Sequence, residues 1–172
     1  MLLNELGFDE KFITPLRTDY LIPLCSLLYP EWGGDFLDSH KAFTVSYELG
    51  KDRSLAYHYD NAEVTLNVSL GKDFEEGSLF FGSMKQDSGP GDTDRTVECV
   101  HNYTYGILHR GQHMHGALPI TDGHRCNLII WMRSSRIRNL ECPMCAEEPE
   151  LVETEGSGDG FTQTTVNMCS TS

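Results

Sequence analysis

The residues that could do chemistry begin with His58-Tyr59-Asp60. They lie in the stretch 57–70, YHYDNAEVTLNVSL, where a His-x-Asp triplet leads into an apolar run with no helix breaker. On an extended backbone successive side chains point to opposite faces, so His58 and Asp60 share one face and Tyr59 points the other way. One imidazole and one carboxylate on the same side of a strand supply two of the three protein ligands of a facial iron site. A bare His-x-Asp also recurs by chance as a surface hydrogen-bonding pair, so its weight depends on a third ligand elsewhere.

Five later histidines (101, 109, 113, 115 and 124) are candidates for it. His113-Met114-His115 is a second i, i+2 pair that shares a face if extended, and the turn-compatible Gly116-Ala117-Leu118-Pro119 follows it. Spacing alone does not choose among these residues. His101 and His109 read as ordinary strand histidines. Gly123-His124-Arg125 then opens the most apolar strand of the chain, Asn127-Leu128-Ile129-Ile130-Trp131. A guanidinium at the start of a buried strand is costly unless it meets an anion, and its fork suits a carboxylate. Cys142-Pro143-Met144-Cys145 has the spacing of a zinc knuckle, but no second pair follows and a structural zinc needs four ligands. It reads as a turn with two thiols.

The elements that must position these groups are mostly strands. Near the start, Thr18 or Asp19 can cap a helix whose apolar positions are Tyr20, Leu21, Leu24, Leu27 and Leu28, with Pro23 in its first turn and Pro30, Gly33 and Gly34 ending it. From residue 42 the pattern changes to short β-type runs at 42–49, 55–60, 63–70, 79–84, 96–101, 105–109, 113–120 and 125–132. Turn chemistry separates them, including Thr121-Asp122-Gly123-His124 and the Gly/Pro/Asp-rich loop 86–94. Eight short strands without helical spacing between them predict a mainly β double-sheet jelly roll with a supporting N-terminal helix. The expected organisation is helical support over 1–41, a jelly-roll core over 42–135, and a polar, acidic tail over 136–172 that reads as largely disordered.

Composition narrows the partners. A chain of 172 residues with 39% hydrophobic content fits one domain with a sizeable core. The formal net charge of −13 and the pI near 4.8 argue against a nucleic acid or an anionic membrane surface, because both need a basic footprint. The longest apolar run, 21–29, is interrupted and too short to span a bilayer, and Met1-Leu-Leu-Asn-Glu-Leu has no secretory pattern. Six scattered cysteines suit reduced thiols. The expectation is an intracellular chain, cytoplasmic or nuclear. On that reading the glycosylation triplets Asn67-Val68-Ser69 and Asn102-Tyr103-Thr104 are chance matches.

The span 42–132 resembles the 2-oxoglutarate and Fe(II)-dependent dioxygenases, specifically the prolyl and lysyl hydroxylase branch. The resemblance is carried by HYD at 58–60, GSLFF at 77–81 and HRGQHMHGALPITDGHR at 109–125. In lysyl hydroxylases the iron-binding His stands four residues before a Pro and ten before the Arg of a Gly-x-Arg triplet. That pattern selects His115, with Pro119 and Arg125 at those offsets. The resemblance thus implies Fe(II) on His58, Asp60 and His115, with Arg125 pairing the distal carboxylate of 2-oxoglutarate. Tyr47, on a strand expected beside the triplet, either hydrogen-bonds this co-substrate or simply fills the barrel. Also implied are O2 as co-substrate, succinate and CO2 as co-products, L-ascorbate to keep the iron reduced, and hydroxylation of a C–H bond in a protein or peptide, lysyl or prolyl by analogy. The sequence departs from the branch at Glu76-Gly77, where two glycines are common, and at Gly116, one place early after the late His. Two rivals keep the same fold. One is a cupin-like metal protein, whose usual Glu after the second His is missing from 117–120; the other is an inactive interaction module.

Overall fold

The computed structural model describes residues 1–71, 73–87, 96–153 and 165–167 of the 172-residue chain. Strand-forming runs from residue 39 onward give β1 (Ser39–Glu48), β2 (Leu55–His58), β3 (Val64–Ser69), β4 (Phe74–Glu76), β5 (Leu79–Met84), β6 (Val97–Cys99), β7 (Gly106–Arg110), β8 (His113–Ala117) and β9 (Ile120–Arg133). They form two antiparallel-type sheets, one in the order β1-β9-β3-β7 with β4 added on β9, the other in the order β2-β8-β5-β6. This is the expected mainly β, jelly-roll arrangement, in which strands adjacent in the sheets come from distant parts of the sequence. The Gly111-Gln112 turn carries the chain from β7 of the larger sheet to β8 of the smaller.

The chain divides into two compact units, one formed by 43–60 and 65–129 together with Met1, the other by 2–42, 61–64 and 130–172. In the first, Tyr47, Leu79, Ala117 and Ile120 make a buried cluster, with Val45, Phe74, Phe81 and Ile107 packed against it. The largest differences from the sequence reading concern β9 and β4. The segment 121–124 is not a turn between strands but part of β9, which starts at Ile120. Gly123 takes φ +78, and a Cβ there would collide with the Asp73 carbonyl. Gly123 pairs with Phe74 of β4, a strand too short to stand out by periodicity.

In the second unit the N-terminal helix is present but begins earlier and buries a different face. Wide π-type turns over Leu16–Leu21 lead into α1, Ile22–Leu28, at whose start Pro23 lacks the amide that a regular ladder would use. Leu21 and Cys25 are the buried residues of this helical stretch, while Leu24 and Leu27 are 48% and 82% exposed. After β9 come α2, Ser135–Arg138, and a two-stranded pair of β10 (Leu151–Glu153) with β11 (Thr165–Asn167). The expected disorder of 154–164 and 168–172 and the loop residues 88–94 lie outside the described residues. Among the described residues no helix is long and apolar enough to cross a membrane.

Candidate active site

Strand pairing explains how the triplet meets its third partner. β8 lies between β2 and β5, and in its register His58 stands directly opposite His115, with Phe81 on the other side of His115. Asp60 follows β2 and is gripped by its backbone: its amide donates to the Gly111 carbonyl at 2.8 Å, and the Gln112 side-chain amide donates to its carbonyl at 3.1 Å. The turn that joins β7 to β8 therefore fixes Asp60 beside both strands.

The result is a convergence of lone pairs. His58 Nε2 lies 3.5 Å from Asp60 Oδ1, His115 Nε2 lies 3.6 Å from Asp60 Oδ2, and the three donor atoms are within 4.8 Å of one another. The Nδ1 of His58 faces the Ala56 carbonyl at 2.7 Å, and the Nδ1 of His115 faces the His113 carbonyl at 2.7 Å. A carbonyl only accepts, so each Nδ1 carries a proton, and in the neutral ring Nε2 is the lone pair aimed at the centre. The Thr65 hydroxyl donates to Asp60 Oδ2 at 2.7 Å. Backbone carbonyls on the histidines and a hydroxyl on the carboxylate are the supports that ligands of a divalent metal require, and the donor set fits Fe(II).

Without a metal the electrostatics treat the two histidines differently: Asp60 favours a proton on His58, whereas burial keeps His115 neutral. Burial pushes Asp60 up, but the hydrogen bond from His58 and the nearby His115 and His109 outweigh it and hold the carboxyl below its ordinary range. Burial opposes charge on His58, yet Asp60 and the Ala56 carbonyl leave it above its ordinary value. His115 is more deeply buried, and burial holds it below its ordinary value although Asp60 works against this. A neutral His115 presents a free lone pair at neutral pH.

His109, read from the sequence as an ordinary strand histidine, also belongs to this constellation. Its Nδ1 faces the Arg110 carbonyl at 2.9 Å, and its buried Nε2 has no hydrogen-bond partner among the described residues and lies 4.0 Å from Asp60 Oδ2. Burial and the neighbouring His115 push it down to about 4, so it stays neutral. The signal that could have found it is its position in the strand just before the turn that grips Asp60. His113 goes elsewhere, its Nε2 facing the Gly82 carbonyl at 2.7 Å.

Arg125 is 1% exposed. Its Nε donates to Asn127 Oδ1 at 3.0 Å and its Nη1 to the Gly77 carbonyl, and its Nη2 faces His101 Nδ1 at 3.4 Å. The guanidinium lies 5.4 Å from the centre of the Tyr47 ring and 5.7 Å from that of Phe74. All of these partners are neutral, and among the described residues no carboxylate pairs with Arg125. A buried, anion-free guanidinium fits a carboxylate ligand. Tyr47 is buried in the core cluster and its ring lies near Arg125; contrary to expectation its strand β1 pairs with β9 and not with β2, so it does not lie beside the triplet strand in a sheet. Burial pushes its phenol up and the cation at Arg125 works against this.

The departures from the branch pattern have local explanations. Both Glu76 and Gly77 take left-handed backbone, φ +61 and φ +69, which is the conformation that paired glycines would supply without strain. A Cβ on Gly116 would collide with the Phe80 ring and the Leu55 carbonyl, so β8 passes too close to its neighbours there for any side chain. Asn67 of the first glycosylation triplet is buried, and its Oδ1 accepts from Asn127 Nδ2 at 2.6 Å, which leaves no room for a glycan.

Comparisons with known proteins extend this picture. No protein-family model matches the chain. It is 64% identical over 162 residues to the zebrafish (Danio rerio) protein named 2-oxoglutarate and iron-dependent oxygenase domain-containing protein 2, covering 94% of this chain and 46% of that one. The mouse (Mus musculus) protein of the same name is 54% identical over 98% of this chain and 49% of its own. The Arabidopsis thaliana oxygenase domain-containing protein ICU11 is 41% identical over 82% of this chain and 36% of its own. The chain thus spans about half the length of the curated relatives it matches. Among solved structures it is similar to the non-heme alpha ketoglutarate dependent epimerase SnoN from nogalamycin biosynthesis, with a TM-score of 0.51 and 14% identity over 76% of this chain and 61% of that one. A likeness in fold is also found to the non-heme monooxygenase ThoJ in its nickel complex, with a TM-score of 0.50 and 13% identity over 81% of this chain and 61% of that one. With identity this high along almost its whole length, the chain belongs to the family of 2-oxoglutarate and iron-dependent oxygenase domain-containing proteins.

Proposed function

We propose that this chain carries the active site of an Fe(II)- and 2-oxoglutarate-dependent dioxygenase that hydroxylates a C–H bond of a protein or peptide. The observation that carries the reading is the convergence of His58 Nε2, Asp60 and His115 Nε2 within 4.8 Å, each held by a partner on its far side. His58, Asp60 and His115 would hold the iron. When bound, Fe(II) supplies O2 activation coupled to decarboxylation of 2-oxoglutarate to succinate and CO2.

The chain's own residues then have distinct tasks. Arg125, which meets no carboxylate among the described residues, would bond the distal carboxylate of 2-oxoglutarate, and the Tyr47 ring lies near the same guanidinium. Asp60, kept ionised by His58 and His115, holds negative charge where the cation sits. Ascorbate would keep the iron reduced between cycles. A basic peptide bearing a lysyl or prolyl target suits a chain with a net charge of −13, and the prolyl and lysyl hydroxylase branch supplies the analogy for the target residue.

The test is iron- and O2-dependent conversion of 2-oxoglutarate to succinate by the 172-residue chain, run beside a peptide screen for oxygen-dependent mass gain. Activity lost in His115→Ala and kept in His113→Ala supports the reading. Wild-type turnover that survives His115→Ala would refute the assignment.

A further inference from the structure

Arg125 has five N–H groups, and three of them are directed at the Asn127 Oδ1, the Gly77 carbonyl and His101 Nδ1. The first two are on its own strand and on the chain just after β4. The third is not: His101 comes from the loop after β6, and nothing in its sequence surroundings links it to Arg125. Its role follows from its tautomer. His101 Nε2 faces the Tyr105 carbonyl at 2.9 Å, which can only accept, so Nε2 carries the proton and Nδ1 is a lone pair.

Two donors point at that lone pair, Arg125 Nη2 at 3.4 Å and Asn127 Nδ2 at 3.3 Å. The orientation of Asn127 is fixed independently. Arg125 Nε can only donate, so Asn127 Oδ1 must face it and Nδ2 must turn to Asn67 Oδ1 and His101. Arg125, Asn127, Asn67 and His101 are all buried, so a ring with Nδ1 protonated would set donor against donor out of reach of water. Burial and the Arg125 charge hold His101 below its ordinary value, against the pull of the Tyr105 and Asn67 carbonyls.

We propose that His101 is a positioning residue for co-substrate binding, its Nδ1 lone pair holding the Nη2 end of the Arg125 guanidinium so that the two uncommitted N–H groups stay aimed at a carboxylate. This rests on the reading of Arg125 as the anchor of the distal carboxylate. A side chain that acts only on that anchor affects 2-oxo acids that have a distal carboxylate and spares those that lack one.

The experiment is an anaerobic titration of the Fe(II)-loaded protein with 2-oxoglutarate and, separately, with 2-oxobutanoate, which has the same metal-chelating end and no distal carboxylate. Binding is followed by the charge-transfer absorption of the ferrous 2-oxo acid complex. His101→Phe, which keeps a ring and removes the acceptor, is expected to weaken 2-oxoglutarate about 10-fold while 2-oxobutanoate changes less than about twofold. His101→Asn, whose Oδ1 falls where Nδ1 stood, is expected to restore 2-oxoglutarate binding, and His101→Gln, whose acceptor falls at the Nε2 position, is not. Equal loss of both acids in His101→Phe, no loss of either, or equal binding by the Asn and Gln variants would overturn the proposal. The Asn and Gln pair carries the test if the Phe variant does not fold. Arg125→Ala in the same titration separates the two levels. If it keeps the preference for 2-oxoglutarate, the anchor assignment fails; if it loses that preference while His101→Phe keeps it, only the role of His101 fails.

Discussion

Of the buried arginines, Arg125 at 1% and Arg138 at 0% exposure are held in opposite ways. Arg138, in the unit that contains α2, pairs with Glu63: its Nη2 lies 2.9 Å from Oε1 and its Nε donates to the same carboxylate at 3.1 Å. Glu63 also accepts from the Ser134 amide, and Asn61 Oδ1 accepts from Arg138 Nη1 at 3.2 Å. Charge there is neutralised within the protein. Arg125, in the unit that contains the His and Asp cluster, meets only neutral acceptors among the described residues. A buried charge that the chain compensates belongs to the architecture, whereas one left uncompensated suits the carboxylate ligand proposed for Arg125.

That contrast can be broken experimentally, most strongly at Glu63. Glu63→Ala leaves the Arg138 charge without its carboxylate and is expected to lower unfolding stability by about 3–5 kcal/mol in urea titrations. Arg125→Met removes a charge that has no carboxylate partner among the described residues, so its expected stability cost is that of the orphaned acceptors, about 1–3 kcal/mol. The same variant is expected to weaken 2-oxoglutarate by about 100-fold while Fe(II) binding is retained, as measured by calorimetry. If Arg125→Met proved as destabilising as Glu63→Ala, the division between architectural and ligand-binding charge would fall.

A smaller effect is expected at Glu76, whose left-handed backbone leads into the Gly77 carbonyl that holds Arg125. Left-handed backbone costs a side chain about 1–2 kcal/mol, and a glycine returns part of that as unfolded-chain entropy. Glu76→Gly is therefore expected to raise the thermal midpoint by an amount equivalent to about 0.5–1 kcal/mol, and a lowered midpoint would contradict the strain. The smallest effect is at Cys25, a buried group that can shed its charge and does so, because burial pushes its thiol from 9.0 up to about 12. At pH 9 the folded chain is expected to resist iodoacetamide at Cys25 while the exposed Cys145 reacts. Since the folded thiol ionises later than the unfolded one, stability from this group is full below pH 9 and is lost as pH rises towards 12.

Much of the fold was legible because it rests on local patterns. Alternating and apolar runs marked the strands from 42 onward, and His58 and Asp60 could be put on one face from the triplet alone. The spacing of Pro119 and Arg125 from His115, carried by the family resemblance, picked out the histidine that the register puts opposite His58. What escaped depended on neighbours far away in sequence. β4 is three residues long and gains its identity only by pairing with β9. The helix buries Leu21 and Cys25 rather than its richest apolar stripe. His109 and His101 carry no motif of their own. Their places beside Asp60 and Arg125 follow from which strand pairs with which, and no spacing rule along one chain encodes that.

The central claim is that His58, Asp60 and His115 form one metal centre with Arg125 as the carboxylate anchor of its co-substrate. Its most direct test is anaerobic addition of Fe(II) and 2-oxoglutarate to the wild-type chain, followed by visible absorption. A charge-transfer band is expected that requires both additions, disappears in His115→Ala and persists in His113→Ala. No band in the folded wild-type protein, or a band that survives His115→Ala and is lost in His113→Ala, would contradict it.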